Sequence, residues 1–141
     1  MLWTVKAVVV HRLATVGGAG DIRRRHAEHI LAVIGEIDRQ LRTEHEAAAR
    51  SRLEGTMSEL RQAQHWMAEQ APELADALYE GLFHVANSGL WHEPADWARR
   101  LLARRGGERG MVGAQFLVAA ALAHRGQQNE AFDLIMAVDP A

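Results

Sequence analysis

Apolar side chains recur every three or four residues between positions 21 and 67, a spacing that places them along one face of an α-helix. The first stripe, which predicts a helix running to about Arg42, consists of Ile22, His26, Ile30, Val33, Ile37 and Leu41. The second stripe consists of Leu53, Met57, Leu60, Gln64 and Met67. Asp21 can cap the first helix, and Thr43 with Glu46 has the spacing of a capping box before the second. Residues 21–70 are therefore predicted to form an antiparallel helical hairpin.

Prolines and glycines divide the rest of the chain into four shorter helices. Pro72 and Pro94 suit the first turn of a helix, where a missing amide costs nothing, and Gly126 suits a helix end. The predicted helices cover residues 72–86, 94–105, 109–124 and 129–138. We therefore expect four helices in two antiparallel pairs within residues 71–141. The hairpin is too short to be stable alone, so it should dock on this region or on another chain.

Residues 1–20 are interpreted as an apolar leader followed by a glycine-rich linker. Residues 1–16 are apolar but too few to span a bilayer, and they include Lys6, His11 and Arg12. Charge within the apolar run, with no basic segment before it, disfavours a secretory signal. An edge strand or a loosely ordered leader is expected, and no membrane insertion.

Composition supports an all-α protein. Of the 141 residues, 48% are apolar and 24% are charged, only three are proline, and β-branched residues concentrate in the first sixteen positions. The absence of cysteine excludes disulfides, thiolate zinc sites and a cysteine nucleophile. The charges nearly cancel at 16 basic against 18 acidic residues, which disfavours a nucleic-acid-binding protein. The basic run formed by Arg99, Arg100, Arg104 and Arg105 is interpreted as a solvated helix face.

Few residues form a pattern typical of catalysis or metal binding. His26 and His29 lie one helical turn apart, and Glu28, His45 and Glu46 could approach them across the hairpin turn. A histidine-based metal-binding bundle is thus the third hypothesis, after two protein-binding ones. None of the three serines lies in a nucleophile elbow. We expect no enzymatic activity and no cofactor.

The last two predicted helices resemble a tetratricopeptide repeat. In the string LVAAALAHRGQQNEAFDLIMAVDP, Ala119 and Ala131 would be the small contact residues and Gly126 the turn, with Pro140 following. A less regular copy of the same repeat motif lies earlier in the chain and contains Gly81, Gly89, Ala95, Leu101 and Leu102. The resemblance implies two stacked helix pairs, capped by the preceding hairpin because such arrays normally need three repeats.

A second resemblance covers about 120 residues. The segments ALYEGLFHVANSGLWHEPADWARRLLARRG and FLVAAALAHRGQQNEAFDLIMAVDP resemble the tetratricopeptide-type chaperones of type III secretion needle subunits, and residues 21–70 are similar to the hairpin co-chaperone of the same systems. In that family the two chaperones are separate chains, whereas here both patterns lie on one. The resemblance implies a cytoplasmic chaperone that keeps a needle subunit soluble by binding its C-terminal helix.

The first helix of each repeat pair is expected to line an apolar groove that accepts an amphipathic helix of the partner. The candidate groove residues are Leu78, Leu82, Val85, Trp91, Phe116, Ala120 and Ala123. The alternative is that these residues fill a closed core. Trp66, Trp91 and Trp97 are expected mostly to pin helices together, Trp91 being the one most suited to anchor a partner.

The leading hypothesis is thus a non-enzymatic chaperone or adaptor that binds an amphipathic helix of a partner. The most specific partner expected is a type III secretion needle subunit. Homo- and hetero-oligomers are both compatible with this hypothesis. The alternative is a generic helical-repeat scaffold within a regulator or larger assembly.

Overall fold

The computed structural model describes residues 18–88, 91–105 and 110–138. Within these ranges the chain is all-α, without a strand, which confirms the predicted fold class. The helices are α1 (Ala19–Gln40), α2 (Glu46–Gln70), α3 (Pro72–Ser88), α4 (Glu93–Arg104), α5 (Val112–His124) and α6 (Gln128–Met136). Each of the described helices is too short or too polar to cross a membrane.

α1 and α2 pack against each other in opposite directions. Arg52 pairs with Glu36 at 3.2 Å, and the ring of His26, earlier on α1, lies 4.0 Å from Glu59, later on α2. Both helices also pack on α3. The hairpin segment therefore docks within its own chain. Because α1, α2 and α3 share one core, the division of the chain after residue 70 stays a prediction.

Both predicted caps of the hairpin were wrong. α1 begins at Ala19, so Asp21 lies inside its first turn, and the Ile22 amide donates to the Gly18 carbonyl. The Thr43 hydroxyl donates to the Gln40 carbonyl at 2.8 Å and accepts from the His45 amide at 3.2 Å. Thr43 thus closes the end of α1 instead of capping α2, which begins at Glu46 itself.

α3 is the central helix and contacts α1, α2, α4 and α5. Arg24, near the start of α1, lies 3.6 Å from Glu73 at the start of α3, and Gly81 further along α3 faces Ile34 further along α1. α5 starts beside Asp76 on the first turns of α3. The first helices of the three successive pairs, α1, α3 and α5, therefore begin at the same end of the molecule.

The core runs along these first helices. Its largest fully buried side chains belong to Ile30, Ile34, Ile37, Leu60, Met67, Leu78, Tyr79, Leu82, Pro94 and Leu101. The Tyr79 hydroxyl donates to the Gln64 side-chain oxygen at 3.2 Å, which satisfies its polar end. Burial raises the pKa of Tyr79 well above the ordinary tyrosine value.

Helix ends in the second half follow the proline and glycine signals. Pro72 begins α3, Pro94 lies in the first turn of α4, and Gly126 follows α5 with a φ of +80°, a conformation that favours glycine. The leader at residues 1–17 and the predicted signals at Gly89, Gly106, Gly107, Arg109 and Pro140 lie outside the described residues.

Candidate partner-binding surface

Three of the predicted groove residues are in the core. Leu78 and Leu82 are fully buried and Val85 nearly so, because α3 is surrounded by four other helices. The prediction that these three side chains line an open groove is therefore wrong for the unbound chain, and the closed-core alternative applies to them.

The other four lie at or near the surface. Phe116 and Ala123 are exposed on α5, and Ala120 is partly exposed. Ala120 and Trp91 line one shallow depression, with Asn87, His92 and His124 at its polar positions. The structure thus divides the predicted groove between a buried part on α3 and an accessible part on α5 and the loop before α4. A binding role for the accessible part stays a prediction.

The three tryptophans of the described residues, Trp66, Trp91 and Trp97, pack in or against the core. The Trp91 ring meets the buried Trp97 ring edge to face, with centroids 6.0 Å apart. Trp66 is partly buried against the core. Trp91 is itself only partly buried, so its outer side stays accessible beside the depression.

α6 carries an exposed apolar stripe that the sequence analysis did not single out. Phe132, Ile135 and Met136 have the i, i+3, i+4 spacing of one helix face, and Phe132 and Met136 are 62% and 67% exposed. Among the described helices α6 contacts α5, and Ala131 is its buried residue. No further helix of the described chain covers the stripe.

The large exposed apolar side chains of α5 and α6 lie in the half of this helix pair that contains the start of α5 and the end of α6. The two helices pack together across a three-residue connection and so run antiparallel, with Ala119 and Ala131 both buried. Phe116 lies one turn before Ala119, and Ile135 one turn after Ala131. We call the exposed set the C-terminal apolar surface; it consists of Val112, Phe116, Phe132, Ile135 and Met136.

The start of α5 is fixed by a residue from α3. The Asp76 carboxylate accepts hydrogen bonds from the amides of Gly113 at 3.2 Å and Ala114 at 2.8 Å, so it caps a helix whose own N-cap residue, Met111, supplies no side-chain bond. A Cβ on Gly113 would collide with the Asp76 carbonyl. α3 and α5 therefore approach each other closely at Gly113.

The acidic side chains on α6 and the neighbouring part of α3 have no basic counterpart on α5 or α6 themselves. Neither α5 nor α6 contains lysine or arginine, whereas Glu130 and Asp133 are exposed on α6 and Glu80 is exposed on α3 beside Gly113. The predicted basic run lies on and just after α4. Three of its arginines are exposed and contact acidic residues or a carbonyl; they are Arg99, Arg100 and Arg104.

An ion pair between α2 and α4 has the clearest pKa shift among surface groups. The Arg61 guanidinium donates two hydrogen bonds, of 2.7 and 3.1 Å, to the Glu93 carboxylate. Hydrogen bonding from Arg61 lowers the pKa of Glu93, and Trp91 also contributes by donating to this carboxylate. The pair supports the position of Trp91.

The described residues contain no group of three or more potential metal ligands. His26 faces Glu59 across the hairpin, so the two do not form a cluster with His45 or Glu46. Within the described chain the arrangement offers an exposed apolar surface.

Comparison with known proteins returned no matching family model, curated protein or solved structure.

Proposed function

We propose that the protein is a non-enzymatic chaperone or adaptor that binds an amphipathic helix of a partner polypeptide on the C-terminal apolar surface. The observation that carries this proposal is the exposure of the apolar stripe on α6 and of Phe116 on α5, the helix against which α6 packs. Single exposed apolar residues are ordinary on protein surfaces, but a contiguous apolar patch is typical of an interaction site.

The size of the surface suits a helix. Full burial of a phenylalanine, isoleucine or methionine side chain contributes about 1.5–3 kcal/mol, and five partly exposed side chains would together offset the cost of immobilising a short partner. The antiparallel pair α5 and α6 leaves a shallow surface between rows of side chains, into which a third helix can lay residues at i, i+3, i+4 and i+7.

The most specific form of the proposal is a chaperone for a type III secretion needle subunit, acting in the cytoplasm. Its support is the sequence resemblance of residues 74–140, together with three consecutive antiparallel helix pairs whose first helices all start at one end. This arrangement is compatible with a tetratricopeptide-like stack to which the hairpin contributes the first pair. The generic helical-repeat scaffold is the alternative.

A direct test measures binding of a fluorescently labelled helical peptide by anisotropy. The test peptide carries leucines at i, i+3, i+4 and i+7, and the control has the same composition with the leucines spread around the helix. The proposal expects saturable binding of the first peptide and at least tenfold weaker binding of the second. Equal binding of both, or no binding of either, would contradict it.

The needle-subunit form has its own test. Co-expression with a needle subunit should keep that subunit soluble and monomeric in a one-to-one complex, measured by light scattering after size-exclusion chromatography. If the subunit polymerises or aggregates as it does alone, while the amphipathic peptide still binds, the generic scaffold is the better description.

A further inference from the structure

We propose that a cleft between α2 and α4 binds a small organic monocarboxylate, whose carboxylate is held by Arg100 and Arg104 and whose apolar body rests on Trp97. The residues that line this cleft belong to α2 and α4, whereas the C-terminal apolar surface lies on α5 and α6. The inference therefore does not depend on the proposed function. Three observations carry it: the frame of the cleft, its excess of positive charge, and the size and chemistry of its interior.

The cleft is framed by two ion pairs that join α2 to α4. Arg61 on α2 bonds Glu93, at the start of α4, at 2.7 Å, and Arg104 at the end of α4 lies 3.9 Å from Glu69, near the end of α2. The two helices therefore run side by side in the same direction, and both pack on α3. The cleft lies along this frame and has a volume of about 150 Å³.

A polar group of α3 reaches the wall of the cleft. Gln64 lines the cleft, and its side-chain oxygen accepts a hydrogen bond from the buried Tyr79 hydroxyl at 3.2 Å. Burial raises the pKa of Tyr79, whereas the positive charges of Arg100 and Arg104 act to lower it. Both guanidinium groups are therefore close to the bond between Tyr79 and Gln64.

The cleft has an excess of positive charge. Arg100 and Arg104 are one helical turn apart on α4, and both line it. Within the described residues Arg100 makes no ion pair, and its Nε donates to the Asp96 carbonyl at 3.3 Å. Glu69 lies 3.9 Å from Arg104 and 3.7 Å from the ring of His65. One carboxylate thus faces two guanidinium groups, which favours a singly charged anion, and the planar fork of arginine suits a carboxylate.

The interior of the cleft suits an apolar ring. The buried Trp97 and Leu101 form its wall on α4, and Ala68 lies on the α2 side. An apolar cavity of about 150 Å³ accepts a molecule of the size of benzene. Arginines together with a tryptophan wall therefore favour an aromatic or compact apolar acid of that size over an inorganic anion, which has no apolar part to bury.

Benzoate is a probe of this size and charge. We expect it to shift the nuclear magnetic resonance signal of the Trp97 indole N–H in the isotope-labelled full chain. The shift should saturate with a dissociation constant on the order of 1 mM, as for a ligand of so few atoms. Comparison with the spectrum of Trp97→Phe assigns the signal. Benzamide has the same shape without the negative charge, so it should bind about tenfold more weakly.

Three substitutions test whether the cleft itself binds the probe. Arg100→Gln removes one guanidinium group and should weaken benzoate binding about tenfold. Arg99→Gln is the matched control, because Arg99 pairs with Asp96 at 3.3 Å and does not line the cleft, so the affinity should not change. Ala68→Leu fills the cleft while both arginines remain, and it should abolish the shift. Circular dichroism checks that each variant is folded, and the two arginine variants decide the matter if Ala68→Leu is not.

Several results would overturn the inference. They are a Trp97 signal that benzoate does not shift in a saturable way, equal binding of benzamide and benzoate, equal affinity of Arg99→Gln and Arg100→Gln, and wild-type affinity in folded Ala68→Leu. None of these substitutions lies on α5 or α6. Binding of the amphipathic peptide should therefore be the same in all of them, and its absence would contradict the proposed function alone.

Discussion

The Asp76 carboxylate on α3 accepts a 2.8 Å hydrogen bond from the backbone amide of Ala114, at the start of α5. It also accepts the neighbouring Gly113 amide at 3.2 Å. A helix N-terminus has unpaired amides, and here they are satisfied by a side chain 38 residues earlier in the sequence. One carboxylate thus fixes the angle at which the last helix pair joins the rest of the chain.

Replacing Asp76 with alanine should destabilise the protein by about 1–2 kcal/mol, the usual cost of losing a helix cap. Urea unfolding followed by circular dichroism measures this difference. Glu80→Ala, one turn later on the exposed side of α3, is the matched control and should have little effect. Equal stability of the two variants would show that the Asp76 bonds do not stabilise α5.

Gly113→Ala should also be destabilising, by about 1–3 kcal/mol, because the added methyl group forces α3 and α5 apart. Gly55→Ala is the control: Gly55 is exposed within α2, and a Cβ there meets no atom within 4 Å. That substitution should instead stabilise by roughly 0.5–1 kcal/mol, since alanine favours helix. Chemical denaturation of both variants checks the opposite signs, and the same sign for both would contradict the close packing at Gly113.

Neither Asp76 nor Gly113 could be assigned its role from sequence. Periodicity, prolines and glycines predict local structure, and they placed α3, α4 and the turn at Gly126 within a few residues. A cap from another helix depends on tertiary packing, which has no local pattern. The predicted capping box was wrong for the related reason that the Thr43 hydroxyl had a nearer partner at the end of α1.

Only part of the candidate surface could be predicted from the sequence, for a similar reason. A stripe at i, i+3, i+4 indicates an apolar helix face but does not say whether another helix covers it. Leu82 and Phe116 lie on comparable stripes of α3 and α5, yet Leu82 is fully buried on α3, which contacts four other helices, and Phe116 is exposed on α5, which contacts three. Exposure is therefore decided by the position of a helix in the stack.

Tyr79 should make the protein sensitive to alkaline pH. Its pKa is raised by burial, so its contribution to stability is fully present below the unfolded tyrosine pKa of about 10 and falls as pH rises above it. Tyr79 is the single tyrosine of the chain, so tyrosinate absorbance reports on it alone. We expect ionisation to coincide with unfolding, and Tyr79→Phe to lessen the loss of stability above that pH. Ionisation of Tyr79 near its ordinary pKa in a fully helical chain would show that the residue is accessible.

The Arg61–Glu93 pair should contribute stability at neutral pH and lose it in acid. Because the folded-state pKa of Glu93 is lowered, the contribution is present above the unfolded carboxyl pKa and disappears as pH falls through the folded value. Glu93→Gln should therefore lower the melting temperature slightly at neutral pH, with the difference closing in acid. Glu54→Gln, at an exposed α2 position in none of the described ion pairs, is the control and should show no such pH-dependent difference. A Glu93→Gln deficit that persists at acid pH would assign the effect to packing instead of charge.

Substitution of a buried groove candidate should unfold the chain. Leu82 is fully buried, so Leu82→Asp places an unpaired carboxylate in the core at a cost of several kcal/mol, comparable to the whole stability of a small domain. Circular dichroism should show a large loss of helix. Retention of native helicity and melting temperature would mean that Leu82 faces solvent after all.

The central claim, that the C-terminal apolar surface binds a partner helix, is tested most directly by the affinity of the amphipathic peptide for Phe116→Asp and Phe132→Asp. Both side chains are exposed, at 40% and 62%, so a charge there is hydrated in the free protein and must be desolvated only in the complex. Ala48→Asp, at an exposed position on α2, is the control for the added charge. We predict that all three variants keep wild-type helicity, that Ala48→Asp binds normally, and that the two phenylalanine variants bind at least tenfold more weakly. Wild-type affinity in folded Phe116→Asp and Phe132→Asp would contradict the claim.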